Sequence, residues 1–388
     1  MFEELDNLKT AAKIAAPTGW RPAVEFDERT GEGTATTGGL IGDANFDEFL
    51  RSAGYDPDVY EVVGNTVRTS KWQQREGGEM LTSYRFTFRL KVAQVDLPLL
   101  YSLAKKTKPP KTPQVTAGKV FVIVPADYQI GKTDARGGTP ETVQRIHQSY
   151  EAIERKLKAG KYERIVILDA GDIIEGISNK ANNQQLATND LSVPQQVDLA
   201  AALMWELLKI ASKYAPVTYA SVGSNHCQVR VGGQAIGKPA VDDWGRSILQ
   251  QLARLSREKP LPVDFQVAED DDESLAIDPF GDEFHIIGLV HGHQAGRPDG
   301  VPTWWERQTF GHQPVVAATI LCTGHFHHMQ VRELGVSRNG GSRYWIQGST
   351  SDAGSSWYRR NNGSESATGI VCFELEQGKH FHGTVYKL

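Results

Sequence analysis

Apolar and polar positions along residues 119–388 follow two periods. Short apolar runs of strand length recur at Lys119 to Val124, Arg164 to Leu168, Val217 to Val222, His285 to Val290, Val315 to Leu321 and Arg343 to Gln347, and they predict buried strands. Val371 to Phe373 and Gly383 to Lys387 extend the set. Between the first two runs, Val143, Ile146, Tyr150, Ile153 and Leu157 recur at helical spacing. Thr139-Pro140-Glu141 marks the start of that helix, with proline at the first helical position, and Gly160 marks its end. Val193 to Tyr214 and Val241 to Leu255 predict two more helices. Strand and helix alternate, so the pattern predicts a layered α/β domain.

Residues 1–103 have a different texture. Asn45 to Ala53 reads as a short helix with Phe46, Phe49 and Leu50 on one face and Gly54 at its stop. Tyr60 to Val67 and Ser83 to Val92 read as strands, the second alternating through Tyr84, Phe86, Phe88 and Leu90. This predicts a small N-terminal α+β module; modules of this size often bind something, substrate or DNA being the candidates, but nothing in these residues says what. Lys105 to Pro113 holds four lysines and three prolines, which can neither hold a helix nor build a core. Residues 104–118 are therefore expected to be a linker, and 119–388 the main domain.

With 39% hydrophobic and 23% charged residues the balance is that of a globular protein, and no apolar run is long enough to span a membrane. The first sixteen residues lack the apolar core of a signal peptide. Cys227, Cys322 and Cys372 are odd in number and widely spaced, so no disulfide framework is predicted. Together these point to a cytoplasmic protein. A net charge of -5 argues against nonspecific coating of nucleic acid but leaves room for a local basic groove. The acidic run Glu269 to Glu273 reads as a solvated loop.

Candidate chemistry stands at the ends of the predicted strands. The first runs into Asp127-Tyr128-Gln129, the second into Gly171-Asp172, the third into Asn225-His226, the fourth into His291-Gly292-His293, and the fifth into Gly324-His325-Phe326-His327. In an α/β sheet, sites form beyond the carboxyl ends of the strands. Residues i and i+2 of a strand's end point the same way, so His325 and His327 are expected to offer two imidazoles to one point, an arrangement suited to a divalent metal. His285, His293, His312 and His328 are read as structural.

The ordered set resembles the calcineurin-like metallophosphoesterase superfamily over residues 119–388. It is similar to the nuclease branch that holds the SbcD-type exonucleases and phage-encoded relatives, and a phage-encoded chain would act in the host cytoplasm. Gly288 to Gln294 is also similar to the small retromer subunit of that fold. The resemblance implies a four-layer α/β/β/α sandwich carrying two divalent ions, Mn²⁺ first, with Mg²⁺, Fe²⁺ or Zn²⁺ as alternatives. It implies that Asp172 bridges them, that Asp127, Gln129 and His327 complete one site, and that Asn225, His291 and His325 complete the other. It implies that His226 is catalytic, stabilising the transition state and protonating the leaving oxygen. Two such ions clamp a phosphoryl group and activate water for in-line attack.

Two positions depart from the family. Gln129 stands where histidine is usual and is either a hard oxygen ligand or a bystander. Cys227 stands where an acidic residue usually follows the Asn-His pair, so the carboxylate that orients His226 is either missing or supplied by Asp169 or Glu175. Asp198 and Asp242 have no assigned role.

Trp304 with Arg307, and Trp357-Tyr358 with Arg359 and Arg360, join aromatic and basic side chains that could stack bases and hold phosphates. The expected function is phosphodiester hydrolysis by a DNA exo- or endonuclease, with DNA and possible further copies of the chain as partners. The alternatives are a phosphatase or small-nucleotide phosphodiesterase, and a scaffold without hydrolase activity.

Overall fold

The computed structural model describes residues 23–27, 32–38, 46–52, 55–63, 66–73, 80–90, 118–177, 188–231, 234–238 and 241–388. The chain divides into two compact units, Met1–Ala93 and Gln94–Leu388. The expected linker, Gly118 apart, lies outside the described residues.

The first unit is built on an antiparallel sheet. Its strands are β1 (Ala23–Asp27), β2 (Glu32–Gly38), β3 (Tyr60–Val62), β4 (Arg68–Gln73) and β5 (Met80–Leu90), with helix α1 (Phe46–Ser52) between β2 and β3. The order is β1-β2-β5-β3, and β4 also pairs with β5. Leu50 from the helix and Ala35, Phe86 and Phe88 from the sheet form the core. The helix and the alternating strand are where the sequence places them, while the strand predicted from Tyr60 to Val67 ends at Val62. The segment Glu-Gly-Thr-Ala-Thr-Thr-Gly gives no apolar alternation, yet it forms β2. Its small residues are the reason: a Cβ at Gly33 would lie 2.3 Å from the Phe88 ring, so only glycine lets that ring cross the strand.

The second unit holds two sheets. The first has β6 (Lys119–Val124), β7 (Arg164–Asp169), β8 (Val217–Ser221) and β11 (Val263–Val267) in parallel, and β17 (Val371–Glu376) and β18 (Val385–Lys387) closing one side antiparallel. A hairpin of β9 (Arg230–Val231) and β10 (Gln234–Ala235) stands apart from it. The second sheet runs β12 (Ser274–Ile277), β13 (Ile287–Val290), β14 (Ile320–Thr323), β16 (Ser342–Gln347), β15 (Gln330–Val336), with its three middle strands parallel. Helices α2 (Thr139–Ala159), α3 (Val193–Ser212), α4 (Trp244–Glu258), α5 (Val301–Arg307) and α6 (Ser356–Asn362) complete the unit.

Strands buried on both faces divide their side chains by the period-2 rule. Phe121, Ile123, Ile165, Ile167 and Tyr219 face α2, α3 and α4. Val120, Val122, Val124, Val166 and Leu168 face the second sheet and meet Leu275, Ile287, Leu289, Ile320 and Ile346. Beyond that sheet, Val290, Leu321 and Trp345 pack on Val301, Trp305 and Val315. The result is the four-layer α/β/β/α sandwich expected from the sequence.

Helix starts follow local chemistry. The Glu141 carboxylate accepts from Gly138 N at 2.8 Å ahead of α2, and Gln195 does the same for Ser192 N ahead of α3. Asp243 accepts from Arg246 N, so α4 begins at Trp244 rather than Val241. The run Val315 to Leu321 is not one strand. Pro314–Ala317 is a 3₁₀ turn, anchored where Trp305 Nε1 donates to Val315 O at 2.8 Å, and β14 starts only at Ile320. Among the described residues no helix is long and apolar enough to cross a membrane.

Phe373 is fully buried between the two sheets, with its ring 5.3 Å from that of Phe381. Phe373→Ala should cost about 3–5 kcal/mol, read as a lower midpoint in urea at unchanged slope.

Candidate metal centre

The parallel strands of both sheets bring their carboxyl ends to one rim, and the loops that leave them are tightly wound. Seven non-glycine residues among those described have left-handed backbone, and five of them are predicted site residues: Asp127, Gln129, Asp172, His325 and His327, with φ between 44° and 70°. Such conformations persist only where the surroundings impose them, and they gather at functional sites. Here the loops hold one another. Asp127 N donates to Gly171 O at 3.0 Å, Gln129 N to Asp172 O at 2.9 Å, and Gly324 N to His291 O at 2.9 Å. Side chains add to the lock: Asp127 accepts from His325 N at 3.0 Å, and Asp172 accepts from His226 N at 2.9 Å.

Asp172, Asn225, His291 and His325 form one group. His291 Nδ1 lies 2.7 Å from Ala170 O, which places its proton there and turns the Nε2 lone pair inward. That nitrogen is 2.9 Å from Asn225 Oδ1 and 3.0 Å from Asp172 Oδ2. Ligand atoms of Asp172, His291 and His325 all lie within 4.8 Å of one another. Lone pairs that converge in this way repel unless a cation or a proton stands between them, and the mixed oxygen and imidazole set suits a borderline divalent ion. These residues fit a metal.

Asp127, Gln129 and His327 form a second group. His327 Nδ1 is 3.2 Å from Asp352 Oδ2, a carboxylate that orients the ring, and its Nε2 faces Asp127 Oδ1 at 3.8 Å. Asp127 Oδ2 is buried without a hydrogen-bond partner. Gln129 is turned differently. Its Oε1 accepts from Lys132 Nζ at 2.7 Å, and its Nε2 faces His226 Nε2 at 3.3 Å. His325 and His327 do not converge on one point. β14 ends at Thr323, and the left-handed turns aim one ring toward Asp172 and the other toward Asp127.

Cys227 offers His226 no carboxylate. Glu175 supplies it, with its carboxylate 3.3 Å and its backbone oxygen 2.8 Å from His226 Nδ1. Asp169 instead braces the loop, accepting from Tyr219, Ser221 and Gly171 N.

Electrostatics separate the two histidines nearest Asp172 from the outer ones. Burial lowers the basicity of His226, but Asp172 and Glu175 outweigh it and raise its pKa to about 10. Burial likewise opposes charge on His291, and Asp172 overrides it to give about 9, so the proton between Nε2 and Asp172 is the one a metal would displace. The same two imidazoles hold Asp172 well below the usual carboxylate range against the effect of its burial. Burial pushes His325 and His293 down to about 3, with His291 adding repulsion in both cases. Burial raises Asp127 to about 6.

Other predicted residues sit as follows. His285 faces the backbone oxygens of Glu376 and Lys379 at 3.2 and 2.7 Å, and His328 faces Phe326 O, both structural. The ring of His293 lies 5.4 Å from that of His291. Trp304 is half-buried on the α5 layer, Arg307 and Arg360 are exposed, and Arg359 pairs with Glu365 at 3.7 Å. The Trp357 side chain lies outside the described residues. The acidic run is not merely solvated: Asp270 pairs with Arg246 at 2.7 Å and Asp271 with Lys238 at 3.3 Å. Sequence reasoning missed Lys132 and Asp352, which meet at 2.6 Å beside Gln129.

No family model matches the chain, and no curated protein matches it. Among solved structures, wild-type Vps29 from Entamoeba histolytica in complex with Zn²⁺ is 12% identical, over 66% of this chain and 87% of that one, with a TM-score of 0.30. A conserved uncharacterized protein from Streptococcus pneumoniae TIGR4, a predicted phosphoesterase, is 12% identical over 71% of this chain and 99% of that one, with a TM-score of 0.24. The architecture described above rests on the strands and helices of this chain and not on these likenesses.

A Cβ at Gly171, where φ is +93°, would lie 2.5 Å from Ser224 Cβ and 2.8 Å from His291 Nδ1. Gly171→Ala should therefore displace His291 and weaken Mn²⁺ binding by about 10–100-fold, measured by calorimetric titration. A second expectation concerns pH. Burial raises Asp169 to about 6, above its unfolded value of 3.8. The stability carried by its protonated form is complete below pH 3.8 and is lost as pH rises through 6. Asp169→Asn should flatten that part of the slope, so between pH 4 and 6 the Tm of the metal-free variant should change less than that of the metal-free parent.

Proposed function

We propose that this chain is a divalent-metal-dependent phosphodiesterase of the calcineurin-like type, acting on DNA. The observation that carries the reading is the convergence of Asp172, Asn225 and His291 ligand atoms beside the His226 imidazole, whose Nε2 lies 4.0 Å from Asp172 Oδ2. When bound, a divalent ion supplies Lewis-acid polarisation of the phosphoryl oxygens and makes water acidic enough to attack. The remaining work belongs to the chain. Glu175 fixes the His226 ring through Nδ1 and leaves Nε2 directed into the centre. A proton at Nε2 can pass to the departing oxygen, whose charge would otherwise rise as the P–O bond breaks. His226 N donates to Asp172 Oδ1, so the acid and the carboxylate keep a fixed separation. The exposed Arg307 and Arg360 offer charge to a phosphate backbone.

A small-nucleotide substrate is the second reading, favoured by a cavity of about 460 Å³ lined by Lys238, Asp271, Glu273, Gln294, Trp304 and Gln308. Its aromatic wall and amides suit a base, while its carboxylates repel a polyanion.

Linear DNA and an aryl phosphodiester, each with and without Mn²⁺, test both readings. Mn²⁺-dependent cleavage of DNA is the expected result, and cleavage of the aryl ester alone moves the chain to the second reading. His226→Ala should keep the metal and lose about 10²–10⁴ in rate. Asp172→Ala should lose metal and activity together. Silence on both substrates with metal bound refutes the hydrolase.

A further inference from the structure

The half of the centre around Gln129 is built around a cation that the chain itself provides. Lys132 Nζ lies 2.7 Å from Gln129 Oε1 and 2.6 Å from Asp352 Oδ2. The lysine side chain is 13% exposed and the aspartate 1%, so this is a largely desolvated ion pair in which each charge depends on the other. Asp352 is set in place by its own loop: its backbone N donates to Thr350 Oγ1 at 3.0 Å, and its Oδ1 accepts from Gly354 N at 2.9 Å. Arg145 of α2 clamps the same loop by donating to Ser351 O and Asp352 O.

The ammonium decides which way Gln129 faces. Rotating its amide by a half-turn would press two N–H groups against the three of the ammonium at 2.7 Å, a closer donor-on-donor clash than the one the amide nitrogen makes with a protonated His226 Nε2 at 3.3 Å. The oxygen therefore stays on Lys132, and the amide nitrogen points toward His226, into the space where a second ion would need a lone pair. Asp127 and His327 are left as a facing pair at 3.8 Å. Among the described residues no third His, Cys, Asp or Glu joins them closely enough to complete a second group like that of Asp172, His291 and His325. His327 is tied to the same ion pair through its Nδ1, 3.2 Å from Asp352 Oδ2.

We propose that this centre takes one tightly held divalent ion, at Asp172, Asn225, His291 and His325, and that Lys132 supplies the positive charge of the half formed by Asp127, Gln129 and His327. Lys132 and Asp352 are positioning residues: one fixes Gln129, the other fixes His327, and together they replace an exchangeable ion by a tethered one. This rests on the metal-centre reading above but departs from the two-ion arrangement that the sequence resemblance implies.

The test is to count ions on the full-length chain. Metal-free protein is titrated with Mn²⁺, bound metal is measured after dialysis, and the electron paramagnetic resonance spectrum is recorded. The expected result for the parent chain is one ion per chain with the six-line signal of an isolated Mn²⁺. The variant carrying both Lys132→Met and Gln129→His should take up a second ion and show the exchange-coupled signal of ions about 3.5–4 Å apart. Gln129→His alone, with the lysine still present, should remain at one ion. Two ions on the parent chain overturn the proposal, as does a folded double variant that still holds one. Circular dichroism and the melting temperature establish that the variants are folded. No ion on the parent chain refutes the metal centre itself, which separates that failure from a wrong count.

Discussion

A carboxylate as deeply buried as Asp172 cannot be satisfied by water, and the rim of the domain is organised around its charge. One oxygen takes the backbone N–H of His226, and the other faces His291 Nε2. Those two contacts explain why the loops after β7, β8 and β13 must meet. They also explain why Gly171 has to be a glycine and why Ser224, which accepts from Asp172 N, is fully buried. Remove the charge and several groups of like polarity are left facing one another in a space with little solvent to separate them.

Left-handed backbone at five of the site residues is the counterpart of this arrangement. Each such residue carries a local penalty of about 1–3 kcal/mol. Three apolar cores, one on each side of the two sheets and one between them, provide the rigidity that holds those conformations in place. The site is thus a consequence of good packing further down the strands, with strain confined to the few residues that leave them.

Much of this is legible in the sequence, for reasons that differ by element. β6 runs from Lys119 to Val124 as read, because a strand buried on both faces needs an unbroken apolar run. α2 and α3 carry proline in their first turns and polar caps ahead of them, so their starts are written locally. β2 and β4 are not legible, since both pair with β5 and most of their own residues are small or polar, and β1 is a five-residue strand paired with β2. The ligand types at strand ends are visible as residues, but their aim is not. Nothing in Gln129 announces that its oxygen is taken. Lys132 stands only three residues away, yet its partner Asp352 comes from a loop 220 positions later, and only the fold joins them. The choice of Glu175 over Asp169 as the companion of His226 was open for the same reason.

The two sheets meet through Val, Leu, Ile and Phe side chains, which attract without preferring a direction. The polar group at the rim spans that contact: Asp172 and Asn225 follow strands of one sheet, and His291 and His325 follow strands of the other. Short, directional bonds across the gap add to the packing what packing lacks, a preferred direction. Any shear between the sheets is passed on by the close-packed core and falls on the geometry of those four side chains, which makes the centre a gauge of the molecule's internal alignment.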